Sequence, residues 1–127
     1  MNSMERNPQP EPVSFMTNED GDDLIVSFAV DHDVPGEVLS VILLRTPKFE
    51  HLRDPPERGV HVSHEAYPDS DDEILRRFVL RDGIVEIEST RRTYRLDVSR
   101  VESAELKSAR KILKRMNVDR AFQLDLQ

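Results

Sequence analysis

Apolar and charged residues alternate through the stretch from Glu73 to Val98. Ile74-Leu75-Arg76-Arg77-Phe78-Val79-Leu80-Arg81 is followed by Asp82-Gly83 and then by Ile84-Val85-Glu86-Ile87-Glu88. After Ser89-Thr90-Arg91-Arg92 the pattern resumes as Thr93-Tyr94-Arg95-Leu96-Asp97-Val98. A period of two is the period of a half-buried strand. Asp-Gly between two such runs predicts a two-residue type I′ turn, which needs positive φ at both central positions. That turn sets the register: Leu80 opposite Val85, Phe78 opposite Ile87, Arg77 opposite Glu88. Carried through Thr90-Arg91, the ladder places Ile87 opposite Tyr94, Val85 opposite Leu96 and Glu86 opposite Arg95. The apolar pairs share one face and the opposite-charge pairs the other, and a slip of one residue would invert both sets. The chain is organised around this three-stranded antiparallel meander.

Upstream, Val13 to Met16 predicts a short first strand, and Asn18-Glu19-Asp20-Gly21-Asp22-Asp23 a turn. Leu24 to Val30 is a strand with Leu24, Val26, Phe28 and Val30 on one face and the small set Ile25, Ser27 and Ala29 on the other. Asp31 to Gly36 is a loop. Val38 to Leu44 is apolar on both faces, which reads as a central strand. The four breakers Pro47, Pro55, Pro56 and Gly59 mark an irregular crossing with a helical turn at Phe49 to Arg53. Val60 to Glu65 is a short strand with Val60, Val62 and His64 pointing one way. Tyr67 to Asp72 is an acidic loop leading into the meander.

One helix follows Val98. Ser99 and Glu102 have capping-box spacing, and Leu106, Ala109, Ile112, Leu113 and Met116 recur on one helical face. Acids near its start and Lys111, Lys114 and Arg115 near its end suit the helix dipole, and Asn117 is a stop. Phe122, Leu124 and Leu126 alternate in the tail, as a closing strand or an extended arm. The expected fold is α+β: an antiparallel sheet of about five to six strands with one C-terminal helix packed on one face. Residues 1–11, rich in Pro, Asn and Glu, are expected to be a disordered tail, and residues 12–127 a single domain.

Composition narrows the function classes. The chain has 127 residues, a charged fraction of 34% and no apolar run long enough for a transmembrane helix, and its polar start lacks a signal-peptide core. There are no cysteines, which removes disulfides, thiolate metal sites and cysteine nucleophiles and fits a cytoplasmic protein. A net charge of −7 disfavours nucleic acid and favours a basic partner, although solubility alone also accounts for it.

Candidate chemistry is sparse. His61 and His64 lie three apart on a strand, so their imidazoles face opposite sides and cannot share a metal. The acidic turn at residues 18–23 lacks acids at the first and last positions of a calcium loop. Asp31-His32-Asp33 has no nucleophile candidate beside it, and the four glycines form no phosphate loop. The meander arginines face glutamates, which reads as a neutralised sheet face. What remains is the densest acid cluster, Asp69, Asp71, Asp72 and Glu73. It is either a solvated loop or a docking patch that steers a basic protein partner.

The order of elements, with Asp22-Asp23-Leu24-Ile25-Val26-Ser27-Phe28-Ala29, Ile42-Leu43-Leu44-Arg45 and the run from Phe78 to Met116, resembles a family of small bacterial immunity proteins of polymorphic-toxin systems, the tenth in that numbered series. Members tend to be Gly-rich just before the meander, where this chain has Tyr67 to Asp72, so no binding residue is carried over. The resemblance implies a protein that binds and neutralises a cognate toxin in the producing cell. The lack of a cofactor motif or an assembled catalytic site adds the expectation of a cytoplasmic binding protein with no cofactor and no catalytic role. A small acidic adaptor or secretion chaperone, working as a homodimer with an exposed apolar patch, is the alternative. A small enzyme would need convergent polar groups in a pocket.

Overall fold

The computed structural model describes residues 9–31, 38–55, 58–65 and 73–126. In chain order the elements are β1 (Glu11–Asp20), β2 (Leu24–Asp31), β3 (Val38–Arg45), a 3-10 helix (Pro47–Leu52), β4 (His61–His64), β5 (Leu75–Arg81), β6 (Ile84–Ser89), β7 (Thr93–Asp97), α1 (Ser103–Met116) and β8 (Gln123–Leu126). The fold is α+β with one main helix. The sheet is larger than five to six strands and is not wholly antiparallel: eight strands run in the order β4-β3-β2-β1-β7-β6-β5-β8. β1 pairs parallel to β7 at Glu11 and Pro12, and β8 pairs parallel to β5. Parallel neighbours are joined through backbone groups of segments far apart in sequence, and local alternation carries no trace of them.

The meander has the predicted register. Phe78 faces Ile87, Leu80 faces Val85 and Arg77 faces Glu88 across β5 and β6. Ile87 faces Tyr94, Val85 faces Leu96 and Glu86 faces Arg95 across β6 and β7. Asp82 and Gly83 both have positive φ, 54° and 77°, as a type I′ turn requires. On the outer side Arg77 Nη1 donates to Glu88 Oε2 at 2.7 Å.

The two sides of the sheet are unlike because the sheet curls. The Val62 N–H donates to the Glu73 carbonyl at 2.9 Å and the Leu75 N–H to the Val60 carbonyl at 2.8 Å, with His61 bridged to Ile74. The β4 edge is thereby tied to the start of β5. Inside the curl, Val26, Phe28, Val41, Leu43, Val62, Phe78, Val85, Ile87 and Leu96 are buried in one apolar core. Phe28 stacks on Phe78 with centroids 6.4 Å apart. α1 adds Ala109, Ile112, Leu113 and Met116 to that core, with Leu106 at its margin.

The helix starts later than the capping-box reading has it. Glu102 is the N-cap residue and makes no side-chain cap, while the Ser99 N–H is taken by Asp97 Oδ1 at 2.9 Å. Asn117 caps the C-terminus as expected, and its Oδ1 accepts the Phe122 N–H at 3.1 Å. Phe122 is buried, and Leu124 and Leu126 lie opposite Phe78 and Leu80, so the tail is a strand. β1 also exceeds its reading: it begins at Glu11 and runs on to Asp20, through part of the predicted turn. Residues 1–8 and 32–37, the latter including His32 and Asp33, lie outside the described residues.

Candidate protein interface

The outer side of β1–β4 is built by the residues that alternate with the core positions. A bulge between Val13 and Phe15 shifts β1, so that Val13 and Met16 point inward and Phe15, Thr17 and Glu19 outward. The ladders then assemble a grid. Glu19, Ile25, Leu44 and His61 form one row, and Thr17, Ser27, Ile42 and Ser63 the next. Phe15, Ala29 and Ser40 form the third, completed by Glu65, which accepts the Ser40 N–H at 3.2 Å. Phe15 is 51% exposed and Leu44 36%, and Ile25 and Ile42 are half-buried. In the 3-10 helix after β3, Phe49 is 50% and Leu52 73% exposed, while Glu50 and the following Arg53 are the residues that stand beside Leu44, His61 and Ser63. α1 packs on the inward side; Glu50 of the 3-10 helix and Arg53 wall a cavity of about 230 Å³ at the Leu44–His61 end, and over the rest of the face no helix or strand of the described residues lies.

The sequence signal for it was the double apolar character of β3 and the small second face of β2. Both strands are interior to the ladder, as expected, but among the described residues no second layer packs on the outward row of β3, where Ser40 and Ile42 are half-buried and Leu44 is 36% exposed.

The acidic cluster is divided. Asp69, Asp71 and Asp72 lie outside the described residues, whereas Glu73 is 0% exposed. Its placement as a surface acid is therefore corrected. One of its oxygens accepts hydrogen bonds from Tyr94 Oη at 2.7 Å and Ser89 Oγ at 2.5 Å, and the other faces Arg92 Nη1 at 3.4 Å. A carboxylate can leave water only when its lone pairs are met this way. Burial, and then the bond to Glu73, hold the Tyr94 hydroxyl above its ordinary pKa range. His64 stacks on Tyr94 with centroids 5.8 Å apart, and burial lowers its pKa against the opposing pull of Glu11, Glu65 and Glu73. A cavity of about 180 Å³ opens beside His64, Tyr94, Arg92 and Glu11. His61 takes the opposite side of β4, as the spacing demands, and its Nε2 lies 3.1 Å from Arg53 Nη1.

The end of the curl nearest α1 carries a second buried charge. Arg45, 5% exposed, follows Val41 and Leu43 on the inward row of β3. Its guanidinium forks onto Glu50 at 2.7 and 2.8 Å and onto Asp119 at 2.9 and 2.7 Å, and it also donates to the Met116 carbonyl. These partners hold Arg45 fully charged and lower the pKa of both carboxyls. Between β1 and α1 runs a groove of about 490 Å³, bridged by Asn18 Nδ2 to the Glu105 carbonyl at 3.0 Å and by the ion pair of Asp20 with Arg115.

No helix of the described residues is long and apolar enough to cross a membrane. No family model matches the chain, and no curated protein or solved structure does.

Proposed function

We propose that the chain is an immunity-type binding protein that neutralises a basic bacterial toxin domain by direct contact, in the cytoplasm of the cell that makes both. The observation that carries this reading is the outer face of β1–β4, which no strand and no long helix of the described residues covers. A chain with a charged fraction of 34% spends few apolar residues on solvent without reason, yet Phe15, Ile25, Ile42 and Leu44 share one exposed sheet face. Such a face offers a rigid, pre-formed contact that loses little entropy on binding. The net charge of −7 adds long-range attraction for a basic partner and raises the encounter rate.

The test is co-expression with candidate toxins from neighbouring genes, and a neighbourhood that encodes none counts against the reading. Growth should be rescued, and the two chains should co-elute. Phe15→Asp with Leu44→Asp should abolish both effects while the thermal midpoint of the isolated chain stays unchanged. Cells that remain arrested with both proteins present would overturn the reading.

A further inference from the structure

The margins of the outer face differ from its centre. Glu19 stands at one corner and Glu65 at the opposite one, while Asp22 and Asp31 flank the strand ends, and all four acids are exposed. Two described cations near this border are engaged: Lys48 pairs with Asp22 at 3.5 Å, and Arg53 contacts His61. We infer that this face takes a segment of another protein whose apolar side chains fill the centre between Phe15 and Leu44 and whose Lys or Arg side chains meet the marginal acids. The inference deepens the proposed function and rests on the same face.

Two occupants, a second copy and a different protein, compete for a mixed sheet face that carries Phe15, Ile25, Ile42 and Leu44 among hydroxyl side chains. A second copy would bind isologously, bringing the same patch with the same marginal acids. Like charges would then be pressed together around a desolvated centre, which disfavours the complex strongly. A partner with basic margins turns the same acids into attraction. Glu19, Asp31 and Glu65 thus select the partner and also hold copies of the chain apart.

The probes are an alternating lysine–leucine peptide and its glutamate–leucine counterpart, titrated against the full chain by amide NMR. The basic peptide should shift Phe15, Ile25, Ile42 and Leu44, and Phe15→Ser with Leu44→Ser should weaken it roughly tenfold. The acidic peptide should leave these signals in place. In sedimentation at low salt the parent should be a monomer, whereas Glu19→Gln/Asp31→Asn/Glu65→Gln should self-associate and return to monomer on adding Leu44→Ser. A parent dimer sealed through this face, equal binding of the two peptides, or a monomeric triple variant would each overturn the inference. None of these measurements uses a toxin. A chain that passes them but fails to protect cells has this surface without the immunity role, and one that protects but fails them binds its toxin elsewhere.

Discussion

Arg45 meets Asp119 through two parallel hydrogen bonds, Nη1 to Oδ1 at 2.9 Å and Nη2 to Oδ2 at 2.7 Å, across 74 residues of sequence. The same guanidinium grips Glu50 and the Met116 carbonyl. One planar group therefore ties the end of β3 to the 3-10 helix and to the C-terminus of α1, where a cation also satisfies the helix dipole.

Arg45→Lys should be destabilising although it keeps the charge, because an ammonium cannot fork onto two carboxylates at once. Arg45→Ala should cost more, toward the lower end of the roughly 3–5 kcal/mol typical of a broken buried pair, since Asp119 is half exposed and regains water. Urea unfolding of both variants checks the order. A lysine variant as stable as the parent would show that the fork adds nothing beyond charge.

Gly83 has φ of 77°, and a Cβ there would meet Ser99 Cβ at 3.6 Å, an ordinary contact. The cost of Gly83→Val is therefore backbone strain and not collision, about 1–3 kcal/mol for a β-branched residue held at positive φ. Gly83→Asn, which tolerates that region, should recover much of the loss. Equal thermal midpoints for the valine and asparagine variants would remove the turn as the cause.

The meander was legible because its register is local: alternation with Asp82-Gly83 leaves one pairing that puts Phe78, Leu80, Val85 and Ile87 on one side. The parallel pairings of β1 and β8 were not, since Glu11 and Pro12 find Leu96 and Asp97 through backbone alone. The buried charges had a signal that residue type masked. Arg45 has the parity of Val41 and Leu43, His64 that of Val60 and Val62, and Glu73 that of Leu75, so each closes an inward row. The partners, Glu50 and Asp119 for Arg45 and Ser89, Arg92 and Tyr94 for Glu73, explain why a polar group can stand at these two positions.

His64 gives the fold an acid-sensitive point. Its pKa is lowered from 6.5, chiefly by burial, with Glu11, Glu65 and Glu73 opposing and Arg92 assisting. The unfolded chain then binds the proton more readily, so stability is present above pH 6.5 and falls as pH drops below it. His64→Gln should flatten this dependence between roughly pH 7 and pH 5. Unfolding midpoints that track the parent at both pH values would exclude His64 as the source. A steeper loss at still lower pH belongs to Glu50 and Asp119, whose lowered pKa values stabilise the fold until they protonate.

Glu73 belongs with the fold and does not share the role read for the acids beside it in sequence. Tyr94→Phe removes one of the two donors to a buried Glu73 oxygen that keeps Ser89, at a cost of about 1 kcal/mol. That variant should also lose part of the alkaline sensitivity. The Tyr94 pKa is raised above 10.0, so the neutral hydroxyl stabilises the fold up to that pH and the contribution fades above it. Glu73→Ala should cost more than Tyr94→Phe, because Arg92, Ser89 and Tyr94 all lose their shared acceptor. Replacing all four acids of the cluster would therefore confuse unfolding with loss of binding. Asp69→Asn, Asp71→Asn and Asp72→Asn with Glu73 retained isolate the electrostatic part. If those three acids steer a basic partner, its association should slow at low ionic strength with little change in dissociation, and the salt dependence should shrink. Association rates equal to the parent at low and high salt would leave the attraction to the margins of the β1–β4 face.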